Sequence, residues 1–242
     1  MSEFTPPGFI REPDRIKKIG SDEFFLIRNR SFGEIDHSFR GLLSGLIDKY
    51  IKTRLNSKIQ ILDVGGGTES NSAKGISRRY SEKVKVVNID LLAEKIENTD
   101  GINPLKADLF NLPFREDTFH LIYSRMVIPN FIDDDKKTKT LLALEEIIRV
   151  LKKGGVALID DENLSNEKNF MDLLKPLTTK YSVRLERKDL GLFLPPADRI
   201  DKFLNPMYYP SGKFLVLTKE PIPTGIRKVI DKVSEKLKRW QT

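Results

Sequence analysis

Three consecutive glycines follow an acidic residue in Lys58-Ile59-Gln60-Ile61-Leu62-Asp63-Val64-Gly65-Gly66-Gly67-Thr68, at the end of an apolar run. A glycine cluster after a strand lets the backbone turn sharply and approach a ligand where any Cβ would clash, which makes this a nucleotide-binding turn. Asp90 ends a second apolar run, Val84-Lys85-Val86-Val87-Asn88-Ile89, where a carboxylate can take both hydroxyls of a ribose. Each signal is short, and the two reinforce one another through their shared setting at strand ends.

The elements that must carry these residues are legible as an alternation. Strand patterns occur at Ile59 to Val64, Val84 to Ile89, roughly Pro104 to Ala107, Phe119 to Ser124 and Val156 to Asp160. Helical apolar spacing runs over Phe39 to Ile51, Ala73 to Tyr80 and Lys139 to Leu151, the last ended by Gly154-Gly155. Alternating strands and helices predict an α/β, Rossmann-like, doubly wound and mostly parallel sheet with helices on both faces. After residue 160 the rhythm changes to a helix from about Asn166 to Thr179, a strand over Ser182 to Arg187, a Pro-rich stretch and a final strand over Lys213 to Thr218. No helix separates the last two strands, and a parallel return normally needs one, so the closing strand is expected to be antiparallel. Seven strands result. The reading divides the chain into an N-terminal arm and lid over 1–38, the main domain over 39–220 and a basic amphipathic helix over 221–242.

Length and composition set the outer bounds. The 242 residues are enough for one large domain with a substantial core, and 39% hydrophobic with 32% charged residues is the balance of a water-soluble globular protein. The segment Met1 to Gly8 has neither the basic start nor the apolar stretch of a secretory signal, so cytoplasmic residence is the expectation. There is no cysteine, which excludes disulfides, thiolate metal sites and cysteine nucleophiles, and no metal-ligand spacing is visible. A net charge of +7 favours phosphate-bearing partners without choosing among them, and much of the excess lies between Arg227 and Arg239.

With these motifs in order, the chain resembles the class I S-adenosylmethionine-dependent methyltransferases, particularly the small-molecule and lipid methyltransferases with a seven-stranded sheet. The resemblance covers roughly residues 40 to 220. Ile61 to Thr68 looks like the family's first motif, whose glycine turn passes under the methionine moiety of the cofactor. Val87-Asn88-Ile89-Asp90-Leu91 looks like the second, which implies that Asp90 binds the ribose hydroxyls and Leu91 flanks the adenine. Lys106-Ala107-Asp108-Leu109-Phe110 is similar to the segment whose acid, here Asp108, accepts from the adenine amino group. Phe119 to Met126 looks like the fourth strand and the loop facing the transferred methyl, and Leu151 to Ile159 looks like the turn into the fifth. The resemblance thus implies S-adenosyl-L-methionine as cofactor, held by Asp63, Gly65, Gly66, Gly67, Asp90, Leu91, Asp108, Leu109 and Ser124. The activity it implies is methyl transfer to a small-molecule or lipid-like acceptor. An adenosine-containing ligand needs such a turn, a carboxylate for vicinal hydroxyls, an acceptor for the exocyclic amine and apolar walls, all at carboxyl ends of parallel strands.

Two positions depart from the family pattern. Glu69 stands where many members have a further glycine; it either faces the cofactor's own carboxylate or points outward to the positive end of the following helix, the second being the expected placement. Pro129-Asn130 occupy the loop after the fourth strand where members often carry histidines. Methyl transfer to a heteroatom is an in-line displacement in which alignment supplies much of the acceleration, so few obligatory side chains are expected. Of the two histidines, His120 lies inside a strand pattern and reads as structural, while His37 in the presumed lid is the candidate catalytic base. Phe193, Phe203, Tyr208 and Tyr209 are candidates for an acceptor pocket.

The tail places Ile226, Val229, Ile230, Val233, Leu237 and Trp240 on one helical face with mostly cations opposite. That face packs on its own domain or a twin subunit, or lies on an anionic membrane as a peripheral contact, with nucleic acid as the less favoured partner of its cations. Three rival readings carry different partners: an RNA methyltransferase, supported by charge but by no base-flipping motif; a non-catalytic cofactor-binding scaffold with the same fold; and a nicotinamide dehydrogenase, disfavoured because the glycines do not follow Gly-x-Gly-x-x-Gly spacing.

Overall fold

The structure, a computed structural model, describes residues 9–11, 15–18, 24–26, 30–54, 57–67, 69–91, 102–125, 127, 134–160, 174–189 and 213–239. Within the span expected to be an arm, β1 (Phe9–Arg11), β2 (Arg15–Lys18) and β3 (Phe24–Leu26) form a small antiparallel sheet in the order β1-β2-β3. Two helices follow, α1 (Phe32–Ser38) and α2 (Leu42–Thr53), where the apolar spacing predicts one helix from Phe39. The break has a backbone cause. Arg40 and Gly41 are both left-handed, with φ of 55° and 76°, and no right-handed helix passes through two such residues.

The main sheet is built from β4 (Ile59–Val64), β5 (Val84–Asp90), β6 (Ile102–Lys106), β7 (Phe119–Arg125), β8 (Leu151–Asp160), β9 (Val183–Asp189) and β10 (Lys213–Lys219). Their spatial order is β6-β5-β4-β7-β8-β10-β9. Strands β4 to β8 pair in parallel, and β10 inserts antiparallel between β8 and β9, as the missing crossover helix predicts. The order reverses between β4 and β7, so ligands are expected beyond the carboxyl ends of those two strands. Pro104 sits in β6, at the sheet edge, where its missing N–H costs no ladder bond on the open side.

Helices α3 (Asn71–Tyr80), α4 (Asp134–Val150), α5 (Lys175–Tyr181) and α6 (Thr224–Arg239) complete the layers. On one face Phe32, Leu46, Ile47 and Ile76 pack with Ile59, Ile61, Val86 and Leu121 of the strands; on the other Leu144, Ile147 and Ile148 pack with Leu62, Ile122 and Ala157. All these strands are buried on both faces, which is why they read as continuous apolar runs.

Helix α4 ends at Val150, four residues before the glycines expected to stop it. Its last carbonyls are satisfied by other groups: Asp117 N–H donates to Arg149 (3.1 Å), Thr118 N–H to Val150 (2.9 Å), and the buried Lys219 ammonium to Ile148 (3.1 Å) and Leu151 (2.9 Å). Gly154, at φ 76°, serves a bulge in β8 instead, and its carbonyl accepts from the Tyr50 hydroxyl at 2.7 Å. Of the helix expected over Asn166 to Thr179, residues 166–173 lie outside the described residues.

Helix α6 settles the use of the first part of the tail's apolar face. Ile226 and Ile230 are buried and Val229 packs beside them, in the same core as Leu42, Leu43 and Leu46 of α2. The peripheral membrane contact considered for this helix gains no support, since these apolar side chains already face the domain. No helix among the described residues is long and apolar enough to cross a membrane.

Candidate active site

The register of three neighbouring strands sets a polar row across the sheet. Asp63 of β4 aligns with Asn88 of β5 on one side and with Tyr123 of β7 on the other. Aligned residues of parallel neighbours point to the same face, and here that face is the one covered by α1, α2 and α3. All three are buried. The Tyr123 hydroxyl is 2.9 Å from Ser72 Oγ at the start of α3, and Asn88 Nδ2 donates to the Gly67 carbonyl (3.2 Å) and to Ser70 Oγ. Polar side chains in a sheet interior carry a desolvation cost, so their clustering at the carboxyl ends marks this as the functional end of the fold.

The glycine turn lies directly over this row. Gly65 has φ 72° and Gly67 φ 77°, both left-handed. A Cβ on Gly65 would overlap the side chain of Val127, and one on Gly66 would overlap Asp63 Oδ2 and Asn88 Oδ1. Gly65 N–H donates to the Ile89 carbonyl at 2.7 Å, and Gly67 N–H donates to Asp90 Oδ2 at 3.0 Å. The turn therefore binds back to the end of β5, and the carboxylate expected at the ribose stands against it.

Beside the turn is a hollow that opens to solvent. It is lined by Asp63, Gly65, Gly66, Ser72 and Tyr123 together with Ile35 of α1, Arg30 and Arg125. Asp63 Oδ2 and Asn88 Oδ1 are buried and have no hydrogen-bond partner among the described residues. Burial pushes the Asp63 carboxyl up to about 7, with the negative charge of Asp90 adding to the rise and a hydrogen bond from Tyr123 opposing it. Burial and the neighbouring Asp63 charge also hold the Tyr123 hydroxyl well above its ordinary value, so it stays protonated as a donor. At the outer end of the same strands, Arg125 Nε meets Asp160 Oδ2 at 3.1 Å in a buried ion pair.

The sequence-predicted residues divide in two. Asp63, Gly65, Gly66, Gly67 and Asp90 come together at the turn. Leu91 follows β5 and is half exposed, an apolar surface beside Asp90. Asp108 is exposed and its Oδ1 accepts from Phe110 N–H at 2.9 Å, closing a local turn, while Leu109 packs on the core of the α4 face. Ser124 is buried and aligned with Val64 and Ile159, which places it on the face opposite Asp63. His37 lies on the exposed side of α1, two residues from Ile35, and is not among the residues around the hollow. His120 is structural, as its strand setting predicts: its Nδ1 accepts from Gln60 N–H at 3.0 Å, and burial, with the charges of Lys152 and Arg54, pushes its ring down to about 4. Glu69 is exposed and its Oε2 accepts from Asn71 Nδ2 at 2.9 Å, the outward placement. Pro129, Asn130, Phe193, Phe203, Tyr208 and Tyr209 lie outside the described residues.

Sequence reading missed Asn88, Tyr123, Ser72, Arg30 and Arg125. A polar residue inside each of two apolar strand patterns, Val-Val-Asn-Ile and Leu-Ile-Tyr-Ser, is the available signal for the first two. Arg30 and Arg125 carry no local signal, because only folding brings the two chain segments to one hollow.

The observed arrangement fits an adenosine-bearing sulfonium cofactor. A cradle that admits no Cβ, orphaned buried oxygens beneath it and a carboxylate at the neighbouring strand end are complementary to an amino-acid end and a ribose. Residues 62–159 match the model of the family described as "Methyltransferase domain". The ubiquinone/menaquinone biosynthesis C-methyltransferase UbiE of Haemophilus ducreyi is 31% identical over 149 residues, covering 57% of this chain and 53% of that protein. UbiE of Pectobacterium atrosepticum is 34% identical over 110 residues, covering 41% of each. The chain spans about half the length, or less, of the curated relatives it matches. Among solved structures, the plantazolicin methyltransferase BpumL in complex with a monoazolic desmethylPZN analog and SAH aligns with a TM-score of 0.49 and 17% identity, covering 77% of this chain and 86% of that one. Over residues 62–159 the strand order and the glycine cradle agree with the matched family model, and this part of the chain carries a methyltransferase domain.

Proposed function

We propose that the protein transfers the methyl group of S-adenosyl-L-methionine to a small-molecule acceptor. The observation that carries this reading is the cradle itself: Gly66 seated over the orphaned oxygens of Asp63 and Asn88, with Asp90 at the adjoining strand end. When bound, the cofactor supplies an electrophilic methyl on a positively charged sulfur. The chain's own residues do the positioning. Asp90 takes the ribose hydroxyls, Leu91 offers an apolar surface to the purine, and Asp63 faces the ammonium of the amino-acid end. Tyr123 donates to Asp63 and, through Ser72, ties it to the first turn of α3. Burial of this network fixes the donor's orientation, and alignment is the main requirement of an in-line displacement.

The UbiE relatives favour a ring of the quinone-precursor class, with the methyl going to carbon, as the first acceptor to test. Calorimetry with S-adenosylmethionine, S-adenosylhomocysteine and NAD tests the cofactor: the first two are expected to bind at micromolar strength and NAD not to bind. Tighter binding of NAD would overturn the assignment. Incubation with labelled cofactor and demethylated quinone precursors, fractionated small molecules, lipids or RNA then tests the acceptor; label on RNA alone would replace the small-molecule reading.

A further inference from the structure

The chain between β6 and β7 runs from the ligand end of the sheet back to the amino end, and α4 grips it midway. Glu146 and Arg149 lie three apart on that helix and share a face. Arg149 turns one edge of its guanidinium to the carboxylate, Nε to Oε1 at 2.6 Å and Nη2 to Oε2 at 2.7 Å. Its remaining donors reach the loop: Nη2 donates to the Leu112 carbonyl at 2.9 Å and Nη1 to the Phe114 carbonyl at 2.7 Å. Glu146 Oε2 also accepts from Leu112 N–H at 2.7 Å. Both backbone polar groups of Leu112 are thus held by one partly buried, bidentate ion pair, a geometry far more specific than that of a loose surface contact. Hydrogen bonds from Arg149 lower the Glu146 carboxyl from its ordinary value against the opposing effect of burial, and Leu112 N–H adds to the lowering. The Leu112 side chain is buried, and the Phe114 ring stands edge-on to Phe119 at 4.9 Å.

That anchorage passes to the carboxyl edge of the sheet through a short closed turn. Asn111 N–H donates to the Asp108 carbonyl at 3.1 Å and Phe110 N–H to Asp108 Oδ1 at 2.9 Å, so the turn closes immediately before the gripped Leu112. On its other side the turn follows Lys106, which is aligned with Asp90 across the β5–β6 pair. It therefore stands one strand away from the carboxylate assigned to the ribose. An exposed turn closed by local bonds alone opens at little cost, and here the hold of α4 on Leu112 and Phe114 removes that freedom. Resting on the methyl-donor reading above, we propose that Glu146 and Arg149 are positioning residues that fix the Asp108–Asn111 turn as the edge of the purine site, so that this edge selects a 6-amino over a 6-oxo purine. A carboxylate accepts from an amine and has no proton to offer a carbonyl. Its selectivity is lost on a displacement of about 1 Å, which takes a hydrogen bond out of range.

The test compares S-adenosylhomocysteine with S-inosylhomocysteine, which differ at the purine 6-position. Calorimetry is run on the wild type, on Arg149→Lys, which keeps the charge and loses the fork, and on Glu146→Gln, which keeps the side-chain volume. Tyr50→Phe, which loses the bond to the Gly154 carbonyl in the core on the other face of the sheet, controls for lowered stability. The wild type should prefer the 6-amino ligand by about tenfold. Arg149→Lys and Glu146→Gln should each bring the two ligands to within about twofold, chiefly by weakening the 6-amino one, while Tyr50→Phe keeps the wild-type ratio. Deuterium uptake over residues 108–114 should rise several-fold in both variants and stay unchanged in Tyr50→Phe. If Arg149→Lys does not fold, Glu146→Gln carries the comparison alone. A wild-type ratio retained in the variants, equal weakening of both ligands, or equal wild-type affinity for the two would overturn the proposal. Failure of the wild type to bind either nucleoside would instead sink the methyl-donor reading on which the proposal rests.

Discussion

If the donor sits as proposed, with its ammonium on Asp63, its binding is a proton-linked event. The Asp63 carboxyl is raised from 3.8 to about 7, chiefly by burial, so the protonated and charged forms of the free protein interconvert near neutrality. An ammonium facing Asp63 requires the charged form. At pH 6 only about one protein in eleven carries that form, against about ten in eleven at pH 8, so the apparent dissociation constant of S-adenosylhomocysteine should fall roughly tenfold between them and level off above pH 8. Calorimetry in buffers of different ionisation enthalpy reads both the affinity and the proton released. In 5′-methylthioadenosine the ammonium is missing, and its affinity should be flat over this range. Asp63→Asn should bind S-adenosylhomocysteine weakly and without pH dependence. The same rise acts on folding: because the native state binds the proton more tightly, its stability falls as pH rises from about 4 to about 7, by at most roughly 4 kcal/mol. Asp63→Asn should remove that slope. An affinity constant between pH 6 and 8 in the wild type, or an identical slope in Asp63→Asn, would refute the reasoning.

Three further outcomes follow from the same geometry. Asp90→Ala removes both the ribose partner and the acceptor of Gly67 N–H, and should weaken donor binding by about 1–3 kcal/mol, whereas Asp108→Ala, which breaks only an exposed local turn, should do less; titration of both variants checks the order. His37→Ala should leave donor affinity unchanged and turnover within a few-fold, since the residue lies on the exposed side of α1; a loss near 10²-fold in turnover would restore it as the base. Deletion after Pro221 removes Ile226 and Ile230, which are 0% and 2% exposed against α2, and should lower the melting temperature and promote aggregation; a truncated protein as stable and monomeric as the full chain, by calorimetry and light scattering, would show that the packing contributes nothing.

Local chemistry made much of this protein legible from sequence. Apolar runs of Ile, Leu and Val punctuated by glycine announce buried parallel strands, and the missing helix before Lys213 announces the antiparallel closing strand, because both follow from short-range pattern and crossover length. The glycine turn and Asp90 were equally visible, since each is a residue type demanded by backbone or hydroxyl geometry at one place. What the sequence could not show is what only register and packing decide. Asn88, Asp63 and Tyr123 form a row because three strands align at those residues and at no others. Asp63 is an ordinary acid in the chain and a titrating group near neutrality only once α1, α2 and α3 close over its face of the sheet. The end of α4 at Val150 likewise rests on long-range satisfaction of backbone groups, by Lys219 and the loop around Asp117, far away in sequence. Arg30 and Arg125 reach one hollow across nearly a hundred residues of chain, and that meeting belongs to the tertiary structure alone.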